Sequence, residues 1–237
     1  MLSCEKTGFD AAHVAENLAH DPTLPHSTGV APVRVDAALA RQCADFLHSR
    51  WGPEGYLALS SGTRVHGFAT YTQVSQPHDA AKQRQHTLTF TGPLLDSARA
   101  EVPGFAAMEA SLLGYLDSTL GTRHVLSHAH ALRQGKHTQM STGFLAHKDN
   151  DVSELVDESI VVKLTADLAR ESPSRMVVAA AARPFAYAPQ AGAAAHFNAR
   201  RWHASVPPTS DREHLKFTFF FRRATWRELR AMKRSIT

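Results

Sequence analysis

The chain has 237 residues, of which 43% are hydrophobic and 20% are charged, and its formal net charge is +4. This composition supplies enough apolar side chains for a core and excludes a disordered or fibrous chain. The two cysteines are too few for a disulfide framework, and without an apolar run of about 18 residues or a signal-peptide pattern we expect a cytoplasmic protein with no membrane partner.

The first half of the chain mixes helical and extended patterns. Apolar residues recur at helical spacing in residues 36–50, and Asp36 stands at the position of an N-cap. Residues 65–74 are rich in Thr, Tyr, Val and Phe and predict a strand. Residues 104–120 predict a second helix, which ends before Gly121.

Short apolar or alternating runs follow one another after residue 123, separated by turn sequences such as ESPS and PPTSD. Runs at a spacing of about ten residues predict antiparallel strands in a sandwich or barrel. The predicted strands cover residues 124–132, 138–148, 159–165, 175–187, 193–198, 203–206 and 212–221. From Thr225 the pattern returns to a helix rich in Arg and Lys. We expect a solvated basic helix; the alternative is a nucleic-acid-binding tail on a non-catalytic barrel.

We expect a single domain made of three parts. Residues 1–123 form a part with helices and strands that shapes the substrate site. Residues 124–222 form the β core that carries the chemistry, and residues 223–237 form the basic C-terminal helix.

The sequence GFLAHKDND, residues 143–151, brings two metal-capable side chains to the end of an apolar run. If this segment is a strand, His147 and Asp149 point to the same face. Two convergent side chains hold a metal ion poorly, so a third ligand is required downstream.

His203 supplies that third side chain 54 residues after Asp149, and Arg212 follows nine residues later. The segment before it, APQAGAAAHFNARRWHAS, contains a Pro-x-x-Gly turn and a short strand. This order of His-x-Asp, a distant His and then a basic residue resembles the Fe(II)/2-oxoglutarate-dependent oxygenases. The resemblance covers about residues 125–222, whereas residues 1–120 show no match to the family.

The resemblance implies a mainly β fold with flanking helices and a double-stranded β-helix core of the jelly-roll or cupin-like type. It implies that His147, Asp149 and His203 bind Fe(II) and leave three coordination positions for 2-oxoglutarate and O₂. It also implies a dioxygenase that hydroxylates an unactivated C–H bond and releases succinate and CO₂, with desaturation or ring closure as alternative outcomes. Related halogenases carry Gly or Ala where this chain has the Asp, so halogenation is not expected.

The distal carboxylate of 2-oxoglutarate requires a basic partner. Arg212 is the first choice, because a guanidinium matches a carboxylate with two parallel hydrogen bonds. In a strand over residues 212–221, Arg212, Lys216 and Thr218 share one face, opposite a mostly apolar face. Lys216 is the second choice, and Thr218 is a candidate for an additional hydrogen bond.

A second stretch, SHAHALRQGKH, is rich in histidine. His128 and His130 resemble the His-x-His pair of cupins, but the Glu that the cupin pattern places about four residues later is absent. We expect this strand to line the same cavity instead, with His130 or Arg133 contacting 2-oxoglutarate. His137 and Trp202 are the candidates for substrate contact.

The expected substrate is a small molecule such as a free or carrier-bound amino acid, selected by residues 1–120 and by the acidic loop 150–158. A nucleic-acid partner is not expected, and the sequence does not indicate an oligomeric state. As an alternative, the same His/Asp/His set could hold Zn²⁺ in a hydrolase, but Arg212 would then have no evident role.

Overall fold

A computed structural model describes residues 30–52, 55–71, 84–134, 148–149, 155–171, 173–178, 185–206 and 212–234. Within these ranges the chain forms two antiparallel β-sheets, and helices pack against the larger sheet. The expectation of a mainly β protein with flanking helices is confirmed.

The strands of the described residues are, in chain order, β1 (Ala31–Arg34), β2 (Tyr56–Ala58), β3 (Arg64–Tyr71), β4 (Arg84–Thr91), β5 (His124–Gln134), β6 (Glu158–Lys163), β7 (Arg175–Val178), β8 (Phe185–Ala186), β9 (Ala193–Asn198), β10 (His203–Val206) and β11 (His214–Arg223). The larger sheet has the order β1-β9-β6-β11-β5-β4-β3-β2, and the smaller sheet has the order β10-β7-β8. Strands from both halves of the chain therefore belong to the same sheet.

The helices of the described residues are α1 (Ala37–Arg50), α2 (Pro93–Glu101), α3 (Phe105–Leu120) and α4 (Trp226–Arg234). Asp36 caps α1 as predicted, since its Oδ1 accepts hydrogen bonds from the N–H groups of Ala38 at 2.6 Å and Leu39 at 3.3 Å. Gly121 ends α3 in the left-handed conformation, at the predicted boundary. None of these helices combines the length and the apolar content that crossing a bilayer requires.

Strand β11 lies at the centre of the larger sheet, between β5 and β6, and its two faces differ in character. On the inner face, Lys216, Thr218 and Phe220 lie opposite residues of both neighbouring strands. Residues that are directly opposite share a face, so the register defines a continuous inner wall. Its further members are His128, His130 and Leu132 of β5 and Ser159, Val161 and Lys163 of β6.

The outer face of β11 carries the main hydrophobic core. Phe217 and Phe219 each lie 5.3 Å, between ring centroids, from Phe105 of α3, and Phe217 lies 5.7 Å from Phe90 of β4. All four rings are buried in one cluster with α1, α2 and α3. The predicted division of this strand into a polar face and an apolar packing face is confirmed.

The smaller sheet covers part of the inner face. Met176 and Tyr187 pack against Val161 and Phe197 of the larger sheet. The ring of Phe197 also lies 4.5 Å from the ring of His203, at the start of β10. The inner wall therefore lies between two sheets and is shielded from water.

The predicted Pro-x-x-Gly turn, Pro189 to Gly192, joins three parts of the larger sheet. The N–H of Gly192 donates to the carbonyl oxygen of Lys163 at 2.8 Å, and its own carbonyl oxygen accepts from the N–H of Val35 at 3.0 Å. Gly192 has a φ of 82°, and a Cβ at this position would lie 2.5 Å from the carbonyl oxygen of Val35. Only glycine fits here without a shift of the backbone.

A β-bulge interrupts the pairing of β11 with β5. Phe220 lies opposite His128, but the next residue, Phe221, lies opposite Leu126, so Ser127 has no partner in the ladder. The Ser127 hydroxyl lies 3.2 Å from His128 Nδ1. Such bulges re-aim the neighbouring side chains.

The predicted elements differ from the structure mainly in the first half. Strands β1, β2 and β4 and helix α2 were not expected, because their short or alternating runs are weak sequence signals. The last strand begins at His214 instead of residue 212. The predicted strand 138–148 lies outside the described residues except for its last residue.

We predict that Phe217→Ala lowers the free energy of unfolding by about 3–5 kcal/mol, because it leaves a cavity among three buried rings. Urea denaturation measures this change. Leu120→Ala, at the exposed end of α3, is the control and is expected to change the free energy by less than about 1 kcal/mol. Equal effects of the two variants would contradict the assignment of Phe217 to the core.

Candidate metal and anion site

Asp149 and His203 meet between the two sheets. Asp149 Oδ1 lies 3.5 Å from His203 Nε2, and each side chain is 5% exposed. The backbone N–H of Asp149 donates to the carbonyl oxygen of Ala199 at 3.0 Å, and the Ser159 hydroxyl donates to Asp149 Oδ2 at 2.6 Å. Elements of both sheets therefore fix the carboxylate and the imidazole.

The backbone of Arg201 determines how His203 is protonated. His203 Nδ1 lies 3.2 Å from the carbonyl oxygen of Arg201, which can only accept, so Nδ1 carries the hydrogen. In the neutral imidazole, Nε2 then turns its lone pair toward Asp149 Oδ1. Both atoms are therefore placed to ligate one metal ion, and the carbonyl contact is one that metal-binding histidines commonly make.

This donor set of one imidazole and one carboxylate fits Fe(II), as the sequence predicts for the site. His147, the third predicted ligand, lies outside the described residues. Lys148 and Asp149 are described, and Asp149 is buried.

Aromatic side chains of the inner wall stand close to Asp149. The His128 ring stacks on Phe220 with centroids 4.2 Å apart, and His130 meets Phe220 edge-on at 4.7 Å. Burial lowers the pKa of His128, and the negative charge of Asp149 opposes this shift. At neutral pH the stack is therefore an uncharged surface beside the carboxylate.

Lys216 lies four residues before Phe220 on the same wall and is 1% exposed. Its Nζ has no hydrogen-bond partner among the described residues and lies 5.5 Å from the ring centroid of Tyr187. Burial is the main cause that lowers the pKa of Lys216 to about 8, and the charge of Lys163 lowers it as well.

Tyr187 provides a second buried donor in the same place. Its hydroxyl also has no hydrogen-bond partner within the described part of the chain, and burial raises its pKa, so it remains protonated. Buried polar groups are nearly always paired in folded proteins. The Lys216 ammonium group and the Tyr187 hydroxyl are therefore two buried donors that an anion could engage.

No protein-family model matches the sequence, and no curated protein matches it. Many solved structures are similar in fold, and the following three are all at low sequence identity. An oxidoreductase of the 2OG-Fe(II) oxygenase family from Burkholderia pseudomallei is 16% identical, with a TM-score of 0.53 over 94% of this chain and 95% of that one. A prolyl hydroxylase from Trichoplax adhaerens, in complex with a hypoxia inducible factor peptide, is 9% identical, with a TM-score of 0.55 over 90% and 88%. EctD from S. alaskensis, with 2-oxoglutarate and 5-hydroxyectoine, is 15% identical, with a TM-score of 0.51 over 93% and 79%.

This chain has the fold of the 2OG-Fe(II) oxygenases. The double-stranded β-helix core expected from the resemblance is confirmed, and the similarity extends well beyond the part that carries the sequence pattern. In this oxygenase fold, the metal-capable pair and Lys216 both lie in the region between the two sheets, which is called the chamber below.

Arg212 occupies a different place in the oxygenase fold from the one expected. Arg212 precedes β11, and its side chain is 37% exposed. It forms a bidentate salt bridge with Glu171, in which the Nε–Oε1 distance is 3.0 Å and the Nη2–Oε2 distance is 3.1 Å. It also donates to the carbonyl oxygen of Ala166. These contacts engage the guanidinium, so the geometry favours Lys216 as the partner of a bound anion.

Arg133 is placed on the outer face of the sheet, which corrects the expectation that it contacts 2-oxoglutarate. Its Nη1 donates to the carbonyl oxygen of Trp51 at 2.9 Å, and its guanidinium lies 4.6 Å from the Trp51 ring centroid. Side chains alternate along β5, so His130 faces the chamber and Arg133 faces the helices. Thr218 lies opposite His130 on the inner face.

Of the two candidates for substrate contact, Trp202 and His137, only Trp202 lies within the described residues. Trp202 is half-buried next to His203, and Lys148 Nζ lies 5.1 Å from its ring centroid. Both flank the metal-capable pair in the sequence. His137 lies outside the described residues.

The described residues contain one group of three possible metal ligands, Asp167, Glu171 and His214, whose ligand atoms lie within 4.8 Å of one another. Each carboxylate already contacts a cation, Lys163 at 2.5 Å from Asp167 and Arg212 at 3.0 Å from Glu171. Burial lowers the pKa of His214 to about 4, so it is neutral at pH 7. The carboxylates of this group are thus accounted for by their ion pairs with Lys163 and Arg212.

Sequence reasoning missed three residues of the site: Ser159, Lys163 and Tyr187. Alternation along β6 predicts that Ser159 and Lys163 share a face, but only strand pairing shows which face lines the chamber. Tyr187 precedes the Pro-x-x-Gly turn by two residues, and the sequence alone gives no signal that its hydroxyl is buried.

We predict that Lys216→Met stabilises the ligand-free protein. The pKa of Lys216 is lowered from the ordinary 10.5 to about 8. Its burial therefore opposes folding by on the order of 3 kcal/mol at pH 7. This penalty is fully present below pH 8 and disappears between pH 8 and about 10.5, where the unfolded lysine also loses its proton. Urea denaturation of both proteins at pH 7 and pH 10.5 measures the difference; a less stable variant at pH 7 contradicts the prediction.

Proposed function

We propose that this protein is a non-haem Fe(II)- and 2-oxoglutarate-dependent oxygenase that hydroxylates an unactivated C–H bond of a small molecule such as an amino acid or a derivative. One observation carries the proposal. The inner wall holds Asp149 at one end, through Ser159 opposite Phe220, and carries the buried Lys216 four residues along β11, with Tyr187 beside it. Four residues of strand span about 13 Å, so the metal-capable pair and the buried ammonium group lie at separate positions along the same wall.

The metal end of the chamber is held in advance of binding. Asp149 and His203, with His147 from the sequence pattern, would hold the ion. Ser159 orients the carboxylate through Oδ2, which leaves Oδ1 directed at His203. The carbonyl oxygen of Arg201 keeps the hydrogen on Nδ1 and thus directs the His203 Nε2 lone pair at the metal.

The anion end would hold the distal carboxylate of 2-oxoglutarate. The Lys216 ammonium supplies the charge, and the Tyr187 hydroxyl donates a second hydrogen bond. Both groups are desolvated already, so a carboxylate replaces no water hydrogen bonds of theirs when it enters. Thr218 lies between Lys216 and Phe220 on the same face and lines the middle of the chamber with His130.

The bound iron and 2-oxoglutarate supply the oxidising chemistry, in which 2-oxoglutarate is converted to succinate and CO₂ as O₂ is consumed. The chain excludes bulk water from this chamber through the smaller sheet and the His128–Phe220 stack. Hydroxylation is proposed because Asp149 supplies the carboxylate that the related halogenases lack. A small substrate is proposed in line with EctD, whereas the Trichoplax adhaerens enzyme was solved with a peptide, so the fold alone does not decide substrate size.

We predict that the purified protein converts 2-oxoglutarate to succinate only with Fe(II) present, and that His203→Ala lowers the rate at least about 100-fold, since second-shell changes alone cost 10–100-fold. A panel of amino acids and derivatives identifies the substrate by its stimulation of succinate release and by a product heavier by one oxygen atom. His48→Ala, at an exposed position of α1, is the control and is expected to retain full activity.

Two outcomes would contradict this function. Full activity of the His203→Ala variant would remove the residue from the metal site. A chlorinated product in excess chloride would show that Asp149 is not an iron ligand.

We also predict that Lys216→Met raises the apparent KM for 2-oxoglutarate much more than Arg212→Ala does. Removing one partner of a buried charged pair costs about 2–5 kcal/mol, a factor of roughly 30 to several thousand in affinity. Arg212 is partly exposed and paired with Glu171, so its removal is expected to affect 2-oxoglutarate binding only indirectly, through the loop that carries Glu171. Steady-state kinetics with varied 2-oxoglutarate ranks the two residues, and the reverse ranking would assign the carboxylate to Arg212.

A further inference from the structure

Two buried lysines face each other across neighbouring strands of the chamber wall. Lys216 of β11 lies directly opposite Lys163 of β6, and each residue is 1% exposed. Like charges directly opposite one another in a sheet are destabilising, and desolvation adds to this. The pair is therefore tolerated only if other groups compensate at least one ammonium group.

Asp167 pairs directly with Lys163, whereas its charge acts on Lys216 from a distance and opposes the burial that lowers the pKa of Lys216. Asp167 Oδ2 lies 2.5 Å from Lys163 Nζ, and the Asp167 side chain is 3% exposed. Lys163 Nζ also donates to the carbonyl oxygens of Ala188 at 3.1 Å and Pro189 at 3.3 Å. Three oxygen atoms thus lie within 3.3 Å of the Lys163 ammonium group and compensate its charge.

The same contacts position Tyr187. Ala188 and Pro189 follow Tyr187 directly, and Pro189 also accepts a hydrogen bond from the backbone N–H of Asp167 at 2.7 Å. Lys163 and Asp167 thus fasten the segment that carries the Tyr187 hydroxyl. Loss of the Lys163–Asp167 ion pair would therefore affect both donors of the anion end, the Tyr187 hydroxyl through its position and the Lys216 ammonium group through the uncompensated charge of Lys163.

The remaining neighbours of Lys216 do not neutralise its charge. From β11 and the loop before it, His214 is neutral at pH 7 and Arg212 is paired with Glu171. The facing residue of β5 is the apolar Leu132, with His130 one pair further along. From the turn after β8, Tyr187 is uncharged. The cluster around Lys216 therefore has a net charge of +1. Its cations are Lys163, Arg212 and Lys216, and its carboxylates are Asp167 and Glu171.

We infer that Asp167 is a positioning residue for the anion end. By holding Lys163 on the turn after β8, it leaves Lys216 as the cation that meets the ligand, and the single remaining charge matches a ligand that ends in one carboxylate. This inference rests on the proposed function and deepens it. Asp167 itself does not touch the ligand; it sets the charge and the position of the groups that do.

The test is the pH dependence of 2-oxoglutarate affinity, measured by calorimetry with Mn(II) in place of Fe(II), for the wild type and for Asp167→Asn. Both carboxylates of 2-oxoglutarate are ionised throughout pH 6–10, so the profile reports on the protein. The wild type is expected to lose affinity as the pH rises through about 8, where Lys216 loses its proton. The Asp167→Asn variant is expected to lose affinity for 2-oxoglutarate about one pH unit lower than the wild type. The substitution removes a negative charge near Lys216, whereas the positive charge of Lys163 still repels the Lys216 ammonium group.

A charge-neutral double variant separates electrostatics from damage to the fold. Lys163→Met with Asp167→Leu removes both charges, so its pH profile is expected to return toward that of the wild type. Glu171→Gln is the matched control, a loop carboxylate that holds Arg212 instead of Lys163, and it is expected to keep the wild-type profile.

The other possible results distinguish a failure of the role of Asp167 from a failure of the proposed function. A wild-type profile for Asp167→Asn, or a double variant that behaves like the single one, overturns the role of Asp167. If the wild type binds no 2-oxoglutarate at any pH, the proposed function fails, and with it the ligand assigned to Lys216.

Discussion

Strand β11 is buried on both faces, and this constraint shapes the rest of the molecule. Helices cover one face of this strand and the second sheet covers the other, so water cannot replace its backbone hydrogen bonds. The neighbouring strands β5 and β6 must therefore pair with it along its length. The outer side chains, such as Phe217 and Phe219, then provide the packing energy. The inner side chains include polar groups such as Lys216 and Thr218 beside a smaller hydrophobic cluster that packs against the second sheet. Stability and chemistry are thus divided between odd and even positions of one strand.

The buried ammonium of Lys216 makes a conflict between these two roles explicit. An unpaired charge at this depth weakens the ligand-free fold, and the four aromatic rings on the outer side of the sheet offset that weakness. Under the proposed function, this weakness has a use, because a cation that is poorly solvated before the carboxylate arrives loses little hydration when it binds. Replacing Lys216 by an apolar residue would then exchange affinity for stability.

Long elements and repeated spacing could be predicted from the sequence, whereas the choice between alternatives on one face could not. The helix from Asp36 and the helix before Gly121 follow from local capping and periodicity, and the alternation in β11 follows from its phenylalanines. Whether Arg212 or Lys216 faces an anion depends on Glu171, which is 41 residues distant in sequence and becomes a neighbour only in the folded chain. The same limit applies to Arg133, whose face is set by the phase of β5, and this phase is fixed only by pairing. Contacts between residues that are distant in sequence, a charge pair for Arg212 and strand pairing for Arg133, therefore determine what local patterns leave open.

The β-bulge at Ser127 gives the number of residues in β5 a chemical meaning. On the C-terminal side of the bulge, His128 and His130 face the chamber; on the N-terminal side, the ladder resumes with Leu126 opposite Phe221. In a regular strand, residues 126 and 128 would point to the same face, because they are two apart. The bulge instead sends Leu126 to the outer core while His128 faces the chamber. The polarity of the wall beside Asp149 therefore depends on a residue that does not line it, and a shift of the bulge along β5 would exchange the faces of the residues between its old and new positions.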